Sequence, residues 1–158
     1  MKFPRCIRLD ASDAQVFPRA ARPGEWAVPG SFAFADANPA ALDGKDRQAF
    51  ARGWLGTESF GHSTLVEVAE IDEAAFFQVV ERLAQHFVAN YGAPDLAAAL
   101  PAARAEADDA AGLCDHKVHT LLALEREVTD QGLVERVRVI TPDRAQDHAR
   151  IWEIVEDK

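Results

Sequence analysis

Apolar residues recur at spacings of three and four along residues 73–91: Phe76, Val80, Leu83, Phe87 and Tyr91, with Gln78, Glu81, Arg82 and Gln85 on the opposite side. That period predicts an amphipathic helix, and its ends agree. Asp72 stands where an N-cap accepts from the first turn, and Gly92 followed by Pro94 ends the element. Burying such a stripe stabilises by about 1.5–3 kcal/mol per large side chain. A second, alanine-rich helix is predicted over about 95–113, with Pro101 placed to kink or split it.

Shorter apolar runs predict strands. Residues 6–9 read as one, ended by the turn-favouring Asp10-Ala11-Ser12-Asp13, and residues 15–17 as a second. Residues 26–28 and 31–34 read as extended, broken at Pro29-Gly30, because proline lacks the ladder donor. Residues 36–44 predict a loop, and 45–55 a short helix with Phe50 and Trp54 on one side. Residues 64–69 are apolar on nearly both faces and so predict an interior strand. Two Val- and Leu-rich arms, 119–128 and 133–141, flank Thr129-Asp130-Gln131-Gly132 and predict a hairpin. Pro142 closes a single domain over 1–142 and leaves 143–158 as a C-terminal tail. Strands first, helices in the middle and a hairpin last predict an α+β fold. Its sheet is mostly antiparallel, with about five or six strands and two or three helices packed on one face.

A length of 158 residues suits one domain, and an apolar share of 48% gives it a core. Charge narrows the partners. Seventeen basic residues against 26 acidic give a net charge of −9, and the tightest basic group, Arg136 and Arg138, sits beside Glu135. Without a clustered basic face, neither nucleic acid nor an anionic membrane is an expected partner. No apolar run reaches the length of a membrane span, and the N-terminus carries charge where a signal peptide needs its apolar stretch. Two cysteines, Cys6 and Cys114, then read as free thiols, buried as small apolar groups, in a cytoplasmic protein.

The densest set of ligand-type side chains is Cys114, Asp115, His116 and His119. One thiolate and two imidazoles in Cys114, His116 and His119 form a mixture that zinc accepts. A structural zinc site usually has a second ligand pair, which this sequence lacks; His62 would have to complete it. The other reading is a helix end whose negative pole favours His116 and Lys117. Ser59 and Ser63 beside His62 have the residue types of a hydrolase, without the third carboxylate or a nucleophile elbow. Glu125, Glu127 and Glu135 offer a carboxylate pair, but on a hairpin they fit cross-strand pairs with Arg136 and Arg138. His86 is expected at the surface and His148 in the polar tail.

What remains is recognition. Trp26, Trp54 and Trp152 are anchor-type side chains for a protein partner. Trp152 lies in an apolar run, 151–155, that either docks elsewhere or covers an edge of its own sheet. No bound cofactor is expected, zinc being the exception if the Cys/His cluster converges. Two functions follow from different classes. The first is a non-enzymatic accessory or interaction protein, for which a homodimer is one arrangement. The second is a small-molecule binder or enzyme with a pocket between helix 73–91 and the sheet, near His62 and Cys114, His116 and His119.

Three separated blocks, Ile7-Arg8-Leu9-Asp10-Ala11-Ser12-Asp13, Pro23-Gly24-Glu25-Trp26-Ala27-Val28 and Gly53-Trp54-Leu55-Gly56-Thr57-Glu58-Ser59-Phe60-Gly61, resemble a small proteobacterial family of unknown function. The similarity runs from about residue 3 to residue 142. It brings no activity, substrate or cofactor; it implies a place near redox-enzyme maturation, beside whose genes members of the family occur.

Overall fold

A computed structural model describes residues 1–8, 12–35 and 38–140 of the chain. The elements run β1 (Lys2–Ile7), α1 (Ser12–Val16), β2 (Ala27–Val28), α2 (Gly44–Arg52), β3 (Trp54–Gly56), β4 (His62–Ser63), β5 (Leu65–Glu70), α3 (Glu73–Asn90), α4 (Leu96–Gly112), β6 (Leu121–Thr129) and β7 (Gly132–Ile140). The class is α+β, as the pattern predicts, and the C-terminal hairpin is β6–β7. Its strands divide between two antiparallel sheets: four in the order β1-β5-β6-β7, three in the order β2-β3-β4. The smaller sheet is stitched to the larger along β1, where Arg5 bridges Trp26 and the Cys6 amide donates to the Glu25 carbonyl at 2.8 Å.

Helices α3 and α4 pack on each other and on the strands through one core. On α3 the stripe is Phe76, Val79, Val80, Leu83 and Ala84; on α4 it is Ala99, Ala103, Ala107 and Ala110. A stripe of alanines lets the second helix lie close against the first, which is the structural use of the alanine-rich segment. Asp72 and Asp95 cap the two helices, accepting from the Ala75 and Ala98 amides at 2.7 and 2.8 Å. The second core joins Cys6, Val66, Val68, Leu122 and Leu124 of β1, β5 and β6 to Trp54 of β3 and to Cys114, just past α4. No helix among the described residues is long and apolar enough to cross a membrane.

Several local expectations give way to tertiary packing. Residues 15–17 are not a strand: Gln15 and Val16 end α1, and Phe17 drops into the interior. Ser31–Phe34 is a 3₁₀ turn, its Phe34 ring set edge-on to Phe50 at 5.4 Å. The helix predicted to 55 stops at Arg52, because Trp54 and Leu55 pair with Ser63 and His62 in the small sheet. Pro101 does not split α4, which runs continuously past it with the proline on its exposed side.

The hairpin reaches beyond the rest. β5 pairs with β6 only at Leu121, Leu122 and Ala123, so among the described residues the outer half of β6 has no strand on that side, and β6 packs against α2.

Candidate functional site

Residues 53–63, strands β3 and β4 with the loop that joins them, close on one buried anion, Glu25. The Glu25 carboxylate is 3% exposed and accepts from the Arg22, Glu58 and Ser59 amides at 2.6, 2.8 and 2.9 Å and from the Ser59 hydroxyl at 2.6 Å. Convergent backbone N–H groups of this kind make an anion-binding concavity, and here the protein fills it with its own carboxylate. Burial alone would push the Glu25 carboxyl up; the four donors outweigh it and hold the group below the ordinary carboxylate range. Gly56 is required by that fit, since a Cβ there would fall on the carboxylate. Phe60 leaves the loop at φ 56° and stacks flat on His86, centroids 3.7 Å apart and planes 5° apart. His86 is therefore half-covered rather than at the open surface.

Ser59, His62 and Ser63 do not meet as a catalytic set. Ser59 is committed to Glu25, and Ser63 donates to the Leu65 carbonyl at 2.8 Å. His62 lies against Phe17 and Phe34, and its Nε2 has no hydrogen-bond partner among the described residues. Burial, then the Arg126 charge, lower its pKa to about 4, so the imidazole is neutral at pH 7.

The Cys/His cluster is likewise dispersed. Cys114 is buried in the core, with burial pushing its thiol up to about 12. His116 is exposed, and His119 turns away to Glu67, its Nδ1 2.9 Å from Oε1. Glu67 also receives Arg5 at 2.7 Å; burial would raise its carboxyl, but His119 and Arg5 lower it. Among the described residues no three His, Cys, Asp or Glu side chains are placed to hold one metal ion. Cys6 is also a free, buried thiol, raised first by burial and then by Glu25. A cleft of about 600 Å³ opens between α1 and α2, lined by Gln15, Lys45, Gln48, Arg52 and Thr64; no imidazole or thiol lines it.

The sequence reading did not single out Glu25 or Arg126, the two buried charges that organise the region. Arg126 is 5% exposed. Its guanidinium donates to the Phe50 and Gly53 carbonyls at 2.8 and 3.2 Å and to the Pro29 carbonyl, and its Nε to Glu135 at 2.8 Å. It thereby satisfies carbonyls at the C-terminal end of α2 that helix geometry leaves open. The signal was present: Arg126 shares strand parity with Leu122 and Leu124, so it must face inward. For Glu25 no such signal exists. A third buried charge, Asp13, accepts from the Thr64 hydroxyl at 2.8 Å.

On the outer face of the hairpin the expected charge pairs form: Arg136 reaches Glu127 at 2.5 Å and Arg138 reaches Glu125 at 3.4 Å. The inner face is different. Among the described residues nothing covers it past Arg126, which leaves Val128 55% and Leu133 48% exposed; at the base, opposite Leu122, Val139 is 46% exposed, and no described strand lies beyond β7. Of the three tryptophans, Trp54 is fully enclosed, Trp26 is half-buried edge-on to Phe3, and Trp152 lies outside the described residues, as does the whole of 143–158.

These features define a small α+β domain, organised by a buried carboxylate and a buried guanidinium, with an open β edge at the end of the described residues. The chain belongs to a family of unknown function, DUF6505, whose model matches residues 1–155. The match passes Pro142, where the resemblance read from the sequence ends, and takes in 151–155. No curated protein and no solved structure matches the chain.

Proposed function

We propose that this protein is an accessory or interaction domain that works by recognition, with the β7 edge of its hairpin as the docking surface. The observation that carries this reading is the β7 edge, unpaired among the described residues, with Leu133 and Val128 open at the turn end of the hairpin and Val139 open at its base, opposite Leu122. Exposed apolar residues along a sheet edge are the usual template for adding another strand. The side chains that read as catalytic or metal-ligating support it indirectly, because Ser59, Ser63, His119 and Cys114 each have a structural assignment.

The test is capture from lysate of the source cells with tag-cleaved wild-type protein and with a chain carrying Leu133→Lys and Val139→Lys. A stoichiometric protein, a second copy included, held by the first and lost by the second supports the reading. Equal capture by both, or turnover of a substrate that one polar substitution abolishes, contradicts it.

A further inference from the structure

We propose that the occupant of the β7 edge is a second copy of this chain, paired antiparallel about a two-fold axis through Arg136. This rests on the reading of β7 as the docking edge and adds the partner and the register.

The register follows from the hairpin. Thr129 and Gly132 close the turn as a directly bonded pair, and pairing continues without a break to Leu121 and Ile140. Backbone bonding then alternates along β7. Gly132, Val134, Arg136, Arg138 and Ile140 bond inward to β6; Leu133, Glu135, Val137 and Val139 aim their N–H and C=O groups at the open side. A symmetric neighbour must set outward-bonding residues against each other. Leu133 and Val139 flank Arg136 symmetrically, so pairing centred there lays the whole strand against its copy, Leu133 on Val139 and Val139 on Leu133. These are the two exposed apolar residues of the strand, and Val128, opposite Leu133 on β6, extends the patch they form.

Neighbouring registers are worse. One step toward the turn breaks the Leu133–Val139 match, setting Leu133 against Val137 and leaving Val139 facing Gln131 in the turn. One step the other way carries Leu133 past the end of β7. Charge does not block the centred register, because each cation near the axis brings its own carboxylate: Arg136 holds Glu127 and Arg138 holds Glu125. Glu135, the acidic group on the inner face, is already bonded to Arg126. Across the axis the outer face then reads Glu125, Arg136, Arg136, Glu125, a neutral row.

The experiment is sedimentation equilibrium of the full chain, with hydrogen exchange at the outward amides of Leu133, Glu135, Val137 and Val139. Wild type is expected at twice the chain mass of 17.3 kDa, with those amides protected in a concentration-dependent way. Leu133→Lys with Val139→Lys sets like charges face to face and is expected to weaken association about tenfold or more. Leu133→Asp with Val139→Lys sets opposite charges face to face and is expected to restore it. Both side chains are half exposed, so circular dichroism should show both variants folded. A monomeric wild type overturns the second copy. If its outward amides are nonetheless protected at every concentration, the chain's own C-terminal segment is the occupant and the edge stands as a docking surface. If they exchange freely, the edge reading depends on the lysate capture alone. A dimer that survives both variants equally also overturns the proposal.

Discussion

The 53–63 loop and the outer half of the β6–β7 hairpin both place a charge among apolar residues, and they finish in opposite states. In the loop, donors around Glu25 converge on one carboxylate until little is left for a ligand. In the hairpin, Arg126 is answered in the same manner by carbonyls, but the chain beyond it is not. A buried anion gathers N–H groups, a buried cation gathers C=O groups, and each fixes backbone that has no helix or strand partner. The difference teaches where to look for function. Ser59, Ser63, His119 and Cys114 have become architecture, and what the hairpin leaves open is valine, leucine and backbone.

Removing either buried charge has the largest expected effect. Arg126→Ala should cost on the order of 3–5 kcal/mol in urea unfolding, since it leaves carbonyls of α2 and Pro29 and the Glu135 carboxylate without their partner. Glu25→Ala should cost slightly less, about 3 kcal/mol, by stranding three amides and a hydroxyl. A loss under about 1 kcal/mol in either would mean that these charges do not hold the loop and the hairpin base.

Acid gives the next effect. His62 has a folded-state pKa of about 4 against an ordinary value of 6.5. Between those values the unfolded chain binds the proton and the folded chain does not, so stability falls as pH drops from about 6.5 toward 4 and levels below. The loss attributable to His62 is on the order of 2–3 kcal/mol. Unfolding midpoints across pH 7 to 4 should show a shallower slope in His62→Leu; an unchanged slope would place the titration elsewhere. Glu25 adds a loss at lower pH, because its lowered carboxyl contributes stability above the unfolded value and loses it as pH falls through the folded one. Smallest is Glu127→Ala, which breaks an exposed pair and should change stability by about 0.5 kcal/mol or less.

The sequence showed what depends on period. Helix α3 with its Asp72 cap, the interior β5, the hairpin and the charge pairs of Glu125 and Glu127 all follow from spacing and turn chemistry. It did not show what depends on convergence from afar. Trp54 looked helical because it lies four residues from Phe50, yet pairing with Ser63 makes it a strand residue. The Glu25 cradle joins amides separated by more than thirty positions, which no local pattern records. Cys114, His116 and His119 are close in sequence, but a positive φ of 76° at His119 helps send its ring toward Glu67. The open edge was half legible: the hairpin was visible, whereas the cover on its inner face ending at Arg126 was not.

The most direct test of the central claim compares two variants side by side, Glu25→Ala and the pair Leu133→Lys with Val139→Lys, scoring thermal stability and association of the folded fraction together. The two variants should separate cleanly. Glu25→Ala lowers Tm by several degrees and leaves association of the folded molecules intact; the edge pair weakens association about tenfold or more and shifts Tm only by the small, concentration-dependent amount that lost association removes. An edge pair that associates as wild type does, while Glu25→Ala folds normally and loses association, would contradict it and move recognition to the 53–63 loop.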